Sequence, residues 1–257
     1  MDLGGGLDTA SAGAPAYSTS ETSETSLDLG SSADAPAYST SEGGTSLSLD
    51  APAGSATPPA RSSRHTLPPK HDLGLPTIRA DERRLMSEHE PVVELTRLQS
   101  AAGALEARVA VANPSEVVLG TVFETSDGRE SLVLPGLAQQ GPDPRSPIFR
   151  ATSSGVAVNL RHIRQINRFL IFAVPTRPTK QMPGGTVAVT TYGHARLELP
   201  LVAGPSLGAQ ALLTAYVVEG RLVLRAEHDP YSGTLQQVTA AYGYRELSWR
   251  DPYTPLV

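Results

Sequence analysis

Hydrophobic positions gather after Pro91, where they recur with the period of two that marks half-buried strands. Leu105, Ala107, Val109 and Val111 fall on one face of an extended run while Glu106 and Arg108 fall on the other, and Val92 to Leu98 alternates likewise. Val117 to Thr125, the Ser126-Asp127-Gly128 turn and a return at Ser131 to Leu134 predict a hairpin. Further strands are predicted at Ile148 to Ala151, Val156 to Leu160, Phe169 to Val174, Thr186 to Thr191, Ala195 to Val202, Ala209 to Val218 and Leu222 to Glu227. Gly184-Gly185, Tyr192-Gly193 and Glu219-Gly220 stand at turn positions between them.

Helical spacing is confined to the end of the chain. Asp229 is placed to cap a helix with Pro230 in its first turn, Leu235, Val238 and Ala241 or Tyr242 repeat along it, and Gly243 follows its last turn. Many short strands, turn signals between them and one short helix predict an all-β fold. The expected form is an antiparallel β-sandwich over residues 86–257, closed by a short C-terminal helix.

The region before it, residues 1–85, has neither period. Ala14-Pro15-Ala16-Tyr17-Ser18-Thr19-Ser20-Glu21 returns as Ala35-Pro36-Ala37-Tyr38-Ser39-Thr40-Ser41-Glu42, a spacing of 21 residues. Each copy offers little beyond one tyrosine and two leucines to bury, which does not offset roughly 1–2 kcal/mol of backbone ordering per residue. A disordered low-complexity tail rich in Ser, Thr, Ala and Pro is the expectation. Its repeats are either a short motif, centred on Tyr17 and Tyr38, presented twice to a partner or a kinase, or a duplicated spacer. Arg79 to Glu90 is charged and permits a short helix or a linker.

Charge divides the chain at the same place. Before Arg61 there are eight acidic residues and no lysine or arginine, and from Arg61 onward 21 basic residues face 18 acidic ones. The overall −5 therefore averages two regions of opposite sign. Absence of cysteine excludes disulfides and thiol chemistry. No apolar run approaches a membrane span, and Met1 to Gly30 lacks a basic, apolar leader, so a soluble, cytoplasmic protein is expected.

The C-terminal third carries a more specific signal. Ala211 to Ala226 reads Ala-Leu-Leu-Thr-Ala-Tyr-Val-Val-Glu-Gly-Arg-Leu-Val-Leu-Arg-Ala, and Tyr231-Ser232-Gly233-Thr234-Leu235 and Tyr242-Gly243 follow. This stretch resembles the closing strand-strand-helix of the tellurium-resistance TerD family. Val156 to Leu160, Ile163 and Arg168 to Val174 look like the preceding strands of that family, and Thr186 to Leu201 its next hairpin. The match covers about Ser153 to Gly243, and Val92 to Gly136 only loosely. The resemblance implies a β-sandwich of bacterial stress responses that binds or scaffolds other molecules, often holding calcium in acidic loops. Between Glu130 and Glu198, however, Asp143 is the only acidic residue. Calcium wants six to eight oxygen ligands with several carboxylates, so this chain is expected to have largely lost the family's calcium site.

Candidate chemistry is sparse. Glu227-His228-Asp229 is the one dense polar group, fit either for a zinc or calcium site or for a strand end that runs into a helix cap. The other histidines stand without metal-ligand spacing, and no phosphate loop or nucleophile elbow is present. A binding protein rather than an enzyme is expected, with no cofactor. The basic stretch from Ser131 to Leu197 holds eight cations against Asp143. Within it Arg161, Arg164 and Arg168 recur at spacings of three and four, as they would on one helical face. Such a face suits a phosphate, an acidic protein partner or nucleic acid, or is simply a solvated surface, and nucleic acid ranks below protein because few aromatics are interleaved with it.

Overall fold

A computed structural model describes residues 73–177, 181–205, 208–229 and 231–256. The expectations that concern residues 1–72, Tyr17 and Tyr38 included, and those for Lys180 and Pro230, lie outside the described residues.

The elements follow one another as β1 (Thr77–Ile78), β2 (Arg83–Leu85), β3 (Val92–Leu95), α1 (Arg97–Ala101), β4 (Ala104–Val111), β5 (Val117–Thr125), β6 (Glu130–Val133), β7 (Gln140–Gly141), β8 (Phe149–Thr152) and β9 (Gly155–Asn159). A 3-10 turn, Leu160–Gln165, leads into β10 (Ile166–Pro175), β11 (Gly185–Thr190), β12 (Arg196–Leu201), β13 (Ala209–Val218), β14 (Arg221–Ala226), β15 (Ser232–Gly233), α2 (Leu235–Ala241), β16 (Ser248–Asp251) and β17 (Thr254–Leu256).

Two large open sheets result, with β16 and β17 pairing separately as a two-stranded sheet. The first runs β1-β3-β14-β13-β10-β5-β6, with β15 also on β13, and the second runs β2-β12-β11-β4-β9-β8-β7. Both are mixed rather than purely antiparallel, because β1 joins β3 and β2 joins β12 in parallel. These two short strands alter the expected start of the ordered region as well. Residues 77–85 pair with the edges of both sheets ahead of residue 86, and the charged segment forms a turn and a strand instead of a helix. Arg83 is drawn onto the edge of the second sheet by Glu198, at 2.7 Å.

The alternation read from β4 is obeyed. Leu105 and Ala107 are fully buried, Val109 and Val111 pack against the same core, and Glu106 and Arg108 face outward. One buried cluster draws on both sheets, with Leu119, Phe169, Leu213 and Leu224 from the first and Leu105, Val158, Val187 and Leu197 from the second. Phe149 of the second sheet stacks on Phe123 at 4.0 Å between centroids and meets Phe169 edge-on at 5.6 Å, both from the first.

The first sheet is apolar on its other face too. Val122, Leu132, Leu170, Phe172 and Ala211 point into a second cluster, covered by Leu235 and Val238 of α2 and by Tyr244. Burial on both faces explains why Phe169 to Val174 is a continuous apolar run with no alternation. Packing there is tight. A Cβ on Gly120 would stand 2.6 Å from the Phe172 ring, so only glycine fits.

Helix α2 starts later than expected. Its N-cap is Thr234, whose Oγ1 accepts from Gln237 N at 3.2 Å while Gln237 Oε1 accepts from Thr234 N at 3.0 Å. Asp229 lies before β15, which must pair with β13 before the helix can begin. Gly243, at φ +82°, follows the helix as predicted. Among the described residues no helix is long and apolar enough to cross a membrane.

Candidate binding surface

Three chain segments meet at Gly103. Its φ of +67° turns the chain out of α1 and into β4, and its carbonyl accepts from Leu160 N at 3.1 Å, where the 3-10 turn begins. The ring of Tyr192, from the β11–β12 hairpin, lies against the bare Cα, for an ideal Cβ at Gly103 would be 3.4 Å from Tyr192 Cδ2. A cleft of about 720 Å³ opens beside this junction. Gly103, Ala104 and Glu106 line one side, and Thr190 to His194 with Arg196 line the other.

The hairpin tip is held in an unusual shape. Gly193 and His194 both have positive φ, +79° and +58°, and a left-handed residue with a side chain costs roughly 1–2 kcal/mol. Thr191 N donates to Ala195 O at 3.0 Å, and Asp81 N, from the segment before β2, donates to Gly193 O at 2.7 Å. The second sheet's edge segment thus braces the tip and leaves Tyr192 49% exposed.

Helix α1 is equally well anchored despite its length. Thr96 and Gln99 form a reciprocal cap, with Gln99 N donating to Thr96 Oγ1 at 3.2 Å and Thr96 N to Gln99 Oε1 at 3.0 Å. Ser100 Oγ accepts from Leu222 N of β14 at 2.9 Å. This buried inner face leaves Arg97 exposed and Leu98 63% exposed on the outside.

Of the arginines expected on one face, the structure brings two together. Leu160 and Ile163 are buried under the 3-10 turn, so Arg161 and Arg164 both project outward, and α1 packs beside them. The turn ends at Gln165, which places Arg168 in β10 and not on a helix. Arg168 points inward. Its Nε donates to Glu124 Oε2 at 2.6 Å, and Nη1 and Nη2 donate to the carbonyls of Tyr242 and Gly243, both at 2.9 Å. Burial opposes its charge, but the hydrogen bond to Glu124 and the nearby carboxylates outweigh that and raise its pKa.

Arg196 and Arg177 stand apart from this pair. Arg196 shares Glu198 with Arg83, at 2.8 and 2.7 Å. Arg177 follows the far end of β10, about 30 Å from Arg168 at some 3.3 Å per residue. By contrast, among the described residues the side chains of Arg97, Arg161 and Arg164 make no ion pair or hydrogen bond.

Glu227, His228 and Asp229 line one small pocket with Glu88 but do not form a ligand set. Glu227 is spent on the fold, accepting from Thr214 Oγ1 at 2.9 Å and from Tyr242 Oη at 3.1 Å. Burial, then the charge of Glu227, raises the Tyr242 pKa. Among the described residues no group of three or more His, Asp or Glu side chains is disposed to hold a metal ion. Asp143 Oδ1 is likewise used locally, accepting from Arg145 N at 2.9 Å.

Sequence reading missed Tyr192, His194 and Leu98. The available signal was a tyrosine and a histidine flanking the glycine of a hairpin turn, positions where Asn, Asp or Gly are the usual occupants. Comparison with protein-family models, with curated proteins and with solved structures found no match.

Proposed function

We propose that this chain is a non-enzymatic binding protein, an adaptor with a TerD-like β-sandwich that assembles other proteins in the bacterial cytoplasm during a stress response. The family's acidic calcium site is largely lost in this reading. What supports the sandwich is the shared core of the two sheets, in which Phe149 lies between Phe123 and Phe169. What supports binding over catalysis is the use of the charged groups. Glu227 is consumed by Thr214 and Tyr242, whereas Arg161 and Arg164 have no partner among the described residues and follow Leu160, whose N–H donates to Gly103 at the edge of an open cleft. The unpaired arginines carry the proposal, because exposed guanidinium groups without internal partners are free to recognise carboxylates bidentately.

The test is affinity capture from cytosolic extract with the immobilised full chain and with an R161E/R164E double variant, alongside calorimetric titration with calcium and zinc. The proposal expects a set of proteins held by the wild-type chain and released by the double variant, with no heat from either metal. Capture that is identical for both chains, or micromolar metal binding that capture depends on, would overturn it.

A further inference from the structure

We infer that the corner where α1, the Leu160–Gln165 turn and Tyr192 meet at Gly103 binds an acidic, extended segment of a partner protein, one that carries an apolar side chain among its carboxylates. This rests on the adaptor reading and names the chemistry of what is held.

Two independent features define the occupant. The first is charge complementarity. Arg97, Arg161 and Arg164 project from two adjoining elements and none is neutralised by a described carboxylate, while Glu106 at the cleft wall is already paired with Arg108 at 2.9 Å. A segment with spaced carboxylates matches that arrangement, and each guanidinium can accept one as a two-pronged partner. The second is two exposed apolar groups on segments that lead to Gly103, Leu98 of α1 and Tyr192, whose ring lies against Gly103. A half-exposed aromatic ring is the kind of group from which binding anchors are drawn.

The backbone geometry favours a preformed site. Gly103 lets the Tyr192 ring rest on the chain, Asp81 and Ala195 hold the hairpin tip, and Thr96, Gln99 and Ser100 fix α1. Ordering these groups on binding therefore costs little. A single-stranded nucleic acid is the weaker fit. It gains from several stacking platforms in succession, and this corner presents Tyr192 alone.

The experiment uses the full chain and fluorescence anisotropy. The probes are a labelled synthetic peptide in which glutamate alternates with leucine and phenylalanine, the same peptide with lysine for glutamate, and labelled oligothymidylate. Saturable binding of the acidic peptide is expected, weakened about tenfold or more by R161E/R164E and several-fold by Tyr192→Ala, with R177E changing it less than about twofold. Unchanged melting temperatures show that the variants fold. Equal losses with R177E mean that only net charge matters and overturn the site, as does oligothymidylate binding that is tighter and equally dependent on Arg161 and Arg164. If the peptide fails to bind while proteins are still captured in an Arg161- and Arg164-dependent way, this inference falls and the adaptor reading stands; if capture is lost too, both fall.

Discussion

The guanidinium of Arg168 lies over the ring of Tyr244, its central carbon 4.4 Å from the ring centroid. The same group binds Glu124 and the carbonyls that end α2, so one side chain from β10 fastens the C-terminal cover to the first sheet. Arg168→Ala would leave Glu124 with Asn167 but no cation, and the two carbonyls without the donors that Arg168 supplies. A loss of about 2–4 kcal/mol is expected from chemical denaturation. Arg168→Lys should recover only part of it, because an ammonium cannot span the same acceptors. Full recovery with lysine would show that charge alone matters there.

Acid should expose the same contact. Burial pushes the Glu124 pKa up, but the hydrogen bonds from Arg168 and Asn167 and the arginine charge pull it further down, so its folded value lies below the ordinary 4.5. A carboxylate with a lowered folded pKa stabilises the fold above its unfolded value and loses that contribution as pH falls through the folded one. The melting temperature should therefore hold near neutrality and decline below about pH 4.5. Glu124→Gln should start lower at neutral pH and decline less steeply. Parallel curves for the two proteins would remove Glu124 from the acid transition.

The helix boundary supplies a third test. Thr234→Ala removes an N-cap and is expected to cost about 1 kcal/mol, whereas Asp229→Ala should be close to neutral. A reversed order, read from urea midpoints, would restore Asp229 as the cap.

That misplaced cap shows where sequence reading stops. Asp229 followed by Pro230 has the local chemistry of a helix start, and only the pairing of Ser232 and Gly233 with β13, a tertiary event, delays the helix to Thr234. Strand β4 was legible because eight residues give four turns of the alternation. Strands β1 and β2, two and three residues long, carry no period to read. Their places are set by β3 and β12 far along the chain. Arg161 and Arg164 were visible as a spaced pair, but the inward course of Arg168 depends on Glu124, Tyr242 and Gly243, all more than forty residues away. The cleft was invisible for the same reason, since Gly103 and Tyr192 are joined only by the fold.

Glu227 separates a structural role from a metal-binding one. Glu227→Gln keeps an oxygen for Thr214 or Tyr242 but weakens both hydrogen bonds by removing the charge. A stability loss of about 1–2 kcal/mol is expected, the same in excess calcium, excess zinc or chelator. A loss that appears only when metal is present would transfer Glu227 to a metal site.

Gly103→Ala addresses the corner itself. The position sits at φ +67°, where a Cβ is disfavoured by roughly 1–2 kcal/mol, while the new methyl would only meet Tyr192 at van der Waals distance, 3.4 Å. The strain has two readouts. It lowers the melting temperature, and the backbone shift that relieves it moves the chain under Tyr192 and weakens binding of the acidic peptide. Tyr192→Ala alone should weaken the peptide without the stability cost, because the ring is half exposed. In the double variant the peptide should be no weaker than with Tyr192→Ala, since the ring through which Gly103 acts is already gone. Additive losses in affinity would mean that Gly103 shapes the corner by some route other than Tyr192.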